Sequence, residues 1–378
     1  MVIGKHTKGK EHKAGKAVPV SNKEEEIRKI EEELSTTKYN KATQKHFAVL
    51  KAKLARLKES AEKASGGAQG LGYGLKKEGD ATVLLVGFPS VGKSTLLNAI
   101  TNAESKVAAY DFTTLVVVPG MLDYKNTKIQ VFDIPGLVEG AHEGRGRGRE
   151  VMSVARSGDM IILLLDAGKD ARKQMDIMEA ELYDAGFRLN QRPPDVMIKK
   201  KSTGGFDVSS SVRLTHLDKD MVKSMLQEFS IHNADVLIRQ DITIDQLVDC
   251  IMRNRIYIPC ITVVNKIDAA PAPELGRRCI PISADRGINL DALKEEVWRR
   301  LEFKRIYLKR IGREPDMKEP LVMRGDVTAE SVAMRIHREM ARNFRFARIW
   351  GPSARFPGQK VGMRQRLQDG DVVELHTK

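Results

Sequence analysis

"GFPSVGKST", Gly87 to Thr95, is the stretch that decides the fold. It follows the β-branched run "ATVLLVGF" and opens a helical segment. A glycine-rich loop between strand and helix, ending in Gly-Lys-Ser-Thr, meets the structural condition for a phosphate-binding loop. Its N–H groups, with those of the helix start, cradle phosphate oxygens. Lys93 neutralises the β/γ charge, and the Ser94 hydroxyl binds Mg²⁺. Gly87, Pro89, Ser90, Val91, Gly92, Lys93, Ser94 and Thr95 are therefore the expected phosphate contacts.

Outward from this loop the chain alternates short β-branched runs with helical segments: "ATVLLVGF", "KIQVFDI", "MIILLLDA", "YIPCITVVN", "CIPISA". That alternation predicts an α/β fold, a doubly wound and mostly parallel sheet with helices on both faces. Chemistry-bearing residues recur at the carboxyl ends of these strands, where such sheets bind ligands. Asp133 closes the second run and suits the Mg²⁺ shell, while Gly136 offers its amide to a γ-phosphate. Between the phosphate loop and Asp133, "YDFTTLVVVPG" supplies a hydroxyl for the metal from Thr113 or Thr114, with Thr114 favoured. In "NKID", Asp268 is acceptor-only as a carboxylate, so it takes two hydrogens from guanine N1 and N2. Adenine presents no such pair, and the site selects GTP. Asn265 ties this loop to the phosphate loop, the Lys266 stem covers the base, and in "SAD" (Ser283, Ala284) the Ala284 amide meets guanine O6.

The remaining segments sort by composition. Residues 1–23 carry six lysines against one acid and read as a basic disordered tail. Residues 24–66 read as an antiparallel helical hairpin, with Ile27, Ile30 and Leu34 on one stripe and Phe47, Leu50, Leu54 and Leu57 on the other. The glycine-rich "SGGAQGLGYG" separates it from a GTPase domain at 67–304. Within that domain the interval before "NKID" is too long for one βαβ unit of about 30 residues. The surplus, about 171–242, is taken as a small inserted α/β subdomain with a hairpin, "DVMIKKKSTGGFDVSSSV", turning at Gly204-Gly205. Its "KKK" (199–201) reads as a solvated strand face. Thr243 and Gln246 form a capping box. "LKEEVWRRLEFKRIYLK" reads as a closing helix, 305–319 as a linker, and 320–378 as a separate strand–helix–strands domain. There Thr328 is the expected N-cap, with Val332, Ile336 and Met340 on one helical face.

The apolar runs are too short to span a bilayer, and no apolar h-region follows the basic N-terminus. Cys250, Cys260 and Cys279 lack metal-ligand spacing and read as reduced thiols of a cytoplasmic protein. A net charge of +14 favours polyanionic partners. The last 58 residues carry eleven Lys and Arg against six Asp and Glu. Arg335, Arg338 and Arg342 recur at helical spacing, and with Arg345 and Arg348 they suggest RNA contact.

The run "GFPSVGKSTLLNAI", "AAYDFTTLVVVPG", "DIPGLVEGA" with "GRGRGRE", "IHNADV", "NRIYIPCITVVNKID" and "DGDVVELH" resembles the developmentally regulated GTP-binding (DRG) family of Obg-like P-loop GTPases. The resemblance runs from about residue 24 onward. It implies an N-terminal helical hairpin, a G domain with a small insert, and a C-terminal TGS domain of β-grasp form. It further implies cytoplasmic work with ribosomes in translation and a dedicated regulatory protein, with no membrane and no DNA. GTP/GDP and Mg²⁺ are the implied cofactors.

One residue raises a chemical problem. After "DIPG" stands Leu137, where many P-loop GTPases place the glutamine that orients water. Its side chain neither donates nor accepts a hydrogen bond. Three substitutes are open. A K⁺ ion against the phosphates is one, although Ser90 stands where the ligating asparagine of related GTPases is found. His142 or an arginine of "GRGRGR" (Arg145, Arg147, Arg149) is the second, and a group supplied by a partner is the third. The expectation is slow intrinsic hydrolysis, with Lys93, Thr114 and Gly136 in the catalytic centre and a partner raising the rate. The alternative is an RNA- or protein-binding scaffold in which GTP is a structural or regulatory ligand.

Overall fold

A computed structural model describes residues 22–64, 78–101, 118–133 and 157–378, and within them the chain forms two units. The larger unit is built on a six-stranded sheet. Its spatial order is Ile280–Pro281, Cys260–Asn265, Met160–Asp166, Ala81–Gly87, Thr127–Asp133, Val118–Tyr124. All neighbours are parallel except the last pair. Ala81–Gly87 and Met160–Asp166 are buried at every position, which is why they read as unbroken apolar runs rather than alternating ones. Leu96, Leu97, Leu293 and Val297, from helices Lys93–Ile100 and Leu290–Arg300, cover one face. Met175, Met178 and Leu182 of helix Ala171–Asp184 cover the other. The expected doubly wound α/β sheet is therefore present.

Two boundaries differ from the sequence reading. "YIPCITVVN" is two strands: Pro259, which has no N–H for a ladder, divides Ile256–Ile258 from Cys260–Asn265. The first pairs in parallel with Phe187–Leu189 outside the main sheet. The closing helix stops at Arg300, and Glu302 adopts a left-handed φ of 54°. "FKRIYL" (Phe303–Leu308) is consequently a strand of the C-terminal sheet, not helix and linker. That sheet has the order Leu321–Arg324, Phe303–Leu308, Val372–Thr377, Phe344–Trp350, Gln359–Val361.

Thr328 caps the C-terminal helix Ala329–Ile336 through a reciprocal pair with Ser331. The helix then breaks at His337, which is extended and whose Nδ1 accepts the Glu339 N–H. Arg335 therefore does not share a continuous helix with Arg338 and Arg342, and Ile336 is 39% exposed rather than part of an apolar face.

The smaller unit joins the N-terminal hairpin to residues 193–254. Helices Asn22–Thr36 and Gln44–Ala64 pack through Ile27, Ile30, Leu34, Leu50, Leu54 and Leu57. Glu26–Lys53 and Glu33–His46 contacts run along the antiparallel seam. The second helix also turns Ala48 and Ala52, both fully buried, into a core shared with Met225, Leu226 and Leu247. Lys51 pairs with Asp245 at 2.7 Å, and Gln44 Nε2 donates to the His216 carbonyl. The insert thus spans 193–254 rather than about 171–242, because Ala171–Asp184 is committed to the central core. Its Val196–Lys200 and Phe206–Ser210 do not pair as a hairpin; Ala234–Ile238 lies between them, antiparallel to the first and parallel to the second. The Thr243–Gln246 capping box is formed. Because Ala52 leaves no room, Ala52→Leu is expected to cost about 1–3 kcal/mol by overpacking, measured by urea unfolding followed at this unit.

Candidate nucleotide site

The phosphate loop leaves the carboxyl end of Ala81–Gly87 under tight constraint. A Cβ on Gly87 would lie 2.7 Å from the Leu164 carbonyl oxygen. Gly92 has φ +94°, and a Cβ there would sit 2.5 Å from Asn265 Nδ2. Gly92→Ala should therefore cost about 1–3 kcal/mol in backbone strain and push Asn265 away. GTP affinity should fall with it, a loss that equilibrium nucleotide titration would detect. Gly92 is the N-cap of Lys93–Ile100 and supplies no side chain, so the first-turn N–H groups stay free for an anion.

Lys93 Nζ donates to the carbonyls of Gly87 (3.0 Å) and Phe88 (3.1 Å), holding its ammonium within the loop. The Ser94 hydroxyl donates to Asp133 Oδ2 at 2.9 Å. Asp133 is 7% exposed, and its Oδ1 is buried without a hydrogen-bond partner among the described residues. A buried carboxylate oxygen left this way is costly, and a cation beside the serine hydroxyl satisfies it. Hydroxyl and carboxylate oxygens are hard donors suited to Mg²⁺, which is held by few protein ligands plus substrate phosphates and water. The residues present therefore fit the metal. Among the described residues no cluster of three His, Cys, Asp or Glu competes for it.

Asn265 joins three loops. Its Nδ2 donates to the Val91 carbonyl at 2.9 Å, and its Oδ1 accepts the Ala284 N–H at 3.0 Å. The tie to the phosphate loop expected from sequence is present. The Ala284 amide, expected to meet guanine O6, donates here to Oδ1 of Asn265, a residue only 3% exposed. Lys266, at φ +67°, reaches from the base loop to the phosphate loop. Its ammonium donates to the Ser90 carbonyl (2.7 Å) and to Asp166 Oδ2 (2.8 Å). Asp268 is exposed. The Ser283 hydroxyl beside it holds its carboxyl below the usual range, keeping it the charged acceptor that guanine requires.

Asp166 was missed by the sequence reading. It closes Met160–Asp166 opposite Asn265 and is bound by Lys266 and the Gly168 N–H. Burial pushes its carboxyl up, but Lys266 and the Gly168 amide outweigh that and hold it low. The available signal was an aspartate ending an apolar strand before Ala-Gly, much as Asp133 does before Ile-Pro-Gly. Thr113, Thr114, Gly136, Leu137, His142, Arg145, Arg147 and Arg149 lie outside the described residues. A cleft of about 770 Å³ opens at the amino end of the central strands beside Asp159, Asn190 and Pro259. Its Arg299, Arg300 and Arg324 are paired with Glu296 and Asp159, and it is not the nucleotide site. Among the described residues no helix is long and apolar enough to cross a membrane.

Comparison with known proteins identifies the domains and the family. Residues 82–200 match a family described as 50S ribosome-binding GTPase, 203–303 match the C-terminal region of that domain, and 304–377 match the TGS domain. The chain is 51% identical over 377 residues to a GTP-binding protein of Methanocaldococcus jannaschii, covering 97% of this chain and 96% of that one. It is 44% identical to developmentally regulated G-protein 3 of Arabidopsis thaliana (94% and 98% covered). It is also 44% identical to developmentally regulated GTP-binding protein 1 of Xenopus laevis (93% and 98%).

Proposed function

Since the chain belongs to the developmentally regulated GTP-binding family of P-loop GTPases, we propose that it is a Mg²⁺-dependent GTP switch acting on ribosomes in the cytoplasm, slow alone and accelerated by a partner. The observation that carries the metal-dependent chemistry is Asp133 Oδ1, buried next to the Ser94 hydroxyl and without a partner among the described residues. When bound there, Mg²⁺ offsets the charge that develops on the β- and γ-phosphate oxygens. Lys93 moves from two loop carbonyls to those oxygens. Gly92 and the first helical turn hold them by backbone N–H groups, Asp268 reads the guanine edge, and Asn265 keeps the loops in register. Thr114 completes the metal shell and Gly136 meets the γ-phosphate in this reading.

The water-orienting step has no side-chain donor at residue 137, so intrinsic turnover is on the order of 10⁻⁴–10⁻² s⁻¹. Ribosomal RNA, or a regulatory protein, then orders the missing group. The match to a family described as ribosome-binding and the +14 net charge support that partner. K⁺ is a weaker substitute, because the Ser90 side chain has one hydroxyl where an amide carbonyl would serve better.

Two measurements test this reading. Chelating Mg²⁺ with excess EDTA should weaken GTP binding by roughly tenfold or more, since two hard ligands then face uncompensated phosphate charge. In sedimentation with ribosomes, the protein loaded with a non-hydrolysable GTP analogue should pellet and the GDP form should not. Equal pelleting of both would favour the scaffold reading, since a switch needs differential affinity.

A further inference from the structure

The cleft beside Asp159 opens at the other end of the central strands from the phosphate loop. Its volume of about 770 Å³ is in the range of small-molecule sites. Four arginines line it: Arg192, Arg299, Arg300 and Arg324. Three of them pair with acids, yet the pairing leaves the charge unbalanced. Glu296, only 7% exposed, takes Arg299 through both oxygens (2.6 and 2.9 Å), Arg300 at 3.0 Å and Arg278 at 3.6 Å. One buried carboxylate thus faces three guanidiniums. Arg324 meets Asp159 at 3.1 Å, and the other oxygen of that acid already accepts the Thr82 N–H. Arg192 is exposed and has no acidic partner among the described residues. With Glu302, which also lines the cleft, five guanidiniums stand against three carboxylates, a surplus of two positive charges. The C-terminus of helix Leu290–Arg300 offsets about half a charge of that surplus.

Hydrogen-bond donors are in surplus as well. Among the described residues Arg300 engages the protein through Nε alone, so both of its Nη groups are open. Asn190, at a left-handed φ of 55°, accepts the Cys260 N–H on its Oδ1 at 2.8 Å. That acceptor role fixes the orientation of the amide and leaves its NH₂ as a donor at the cleft. Tyr257 and Pro259 supply apolar lining beside these groups.

We propose that this cleft binds a small organic phosphate, a monoester whose dianion is held by Arg192, Arg299, Arg300 and the Asn190 amide, with its organic part against Tyr257 and Pro259. Guanidinium forks bind phosphate oxygens in pairs. A phosphate monoester carries about −1.5 to −2 near neutral pH, which is the charge left over here. Asp159 and Pro259 belong to the nucleotide-binding sheet and Arg324 to the C-terminal sheet, so the bound molecule bridges the two. The site is separate from the nucleotide site and stands whether or not ribosomes are the partner.

Isothermal titration calorimetry tests this on the full chain saturated with Mg²⁺ and GDP, so that the phosphate loop is filled. Phenyl phosphate is the probe, and it should bind at one site. Its affinity should fall as the pH drops below about 6, where the dianion takes up a proton. Phenyl sulfate, a monoanion of the same shape, should bind roughly tenfold more weakly, the scale of one charge-assisted hydrogen bond. Arg192→Gln with Arg300→Gln should weaken phenyl phosphate binding by on the order of 10²-fold. Arg192→Glu breaks no ion pair of the protein and should abolish binding, with GDP affinity as the folding control for both variants. No binding of phenyl phosphate at millimolar concentration, or unchanged affinity in either variant, overturns the site. Equal binding of phenyl sulfate overturns the match to a dianion. Tighter binding of a phosphoserine peptide than of the free ester overturns the small-molecule occupant. Ribosome binding and GTP turnover enter none of these arms, so this site and the switch reading fail separately.

Discussion

Lys93→Ala lowers kcat/KM for GTP by on the order of 10³-fold, the scale of losing one preorganised donor aimed at developing charge. The lysine's ammonium is held inside the phosphate loop, where its resting partners are two carbonyls of that same loop. A phosphate oxygen therefore competes with neutral acceptors rather than with a carboxylate, and no ion pair has to break. Lys93→Arg should restore little of the activity, because the planar guanidinium is wider than an ammonium and cannot replace a point charge in a closed loop. Single-turnover hydrolysis, with nucleotide affinity measured separately, checks both substitutions. An alanine variant with near-normal turnover would remove Lys93 from the mechanism.

Asp268→Asn reduces affinity for GTP by on the order of 10²–10⁴-fold, in line with sites built to hydrogen-bond a particular group. A carboxylate accepts both guanine hydrogens, whereas an asparagine places an NH₂ donor against one of them. The same change should improve binding of xanthosine triphosphate, whose 2-oxo group accepts where guanine donates. The Ser283 hydroxyl keeps Asp268 ionised well below neutral pH, so this preference should not vary between about pH 6 and 8. Competition titrations of the two nucleotides against a fluorescent analogue give the answer. Loss of both affinities together would mean a folding defect rather than a switch of base.

The parts of this molecule that were legible in sequence are those whose cause is local. Gly-Lys-Ser-Thr after a strand, the Thr243–Gln246 and Thr328 caps, and the Asn265 tie each depend on residues a few positions apart or on a motif with its own geometry. The errors came from competition between distant segments. "DVMIKKKSTGGFDVSSSV" has every mark of a hairpin, and Gly204 and Gly205 do turn with positive φ. Ala234–Ile238 nevertheless takes the central place, and only the three-stranded pairing reveals it. Helix Ala171–Asp184 falls in the long interval by chain position, yet its Met175, Met178 and Leu182 are buried against the central strands. At His337 a periodic pattern carried the reading across a break that a side-chain cap makes locally. Asp166 was overlooked because it sits at the end of an apolar run, and its role depends on Lys266, a hundred residues later.

Steady-state GTP hydrolysis by the purified protein, with and without ribosomes from its own source, tests the central claim most directly. The account predicts slow turnover alone and a large stimulation by ribosomes, with Leu137→Gln unable to reproduce that stimulation in their absence. Unchanged turnover on adding ribosomes would contradict it.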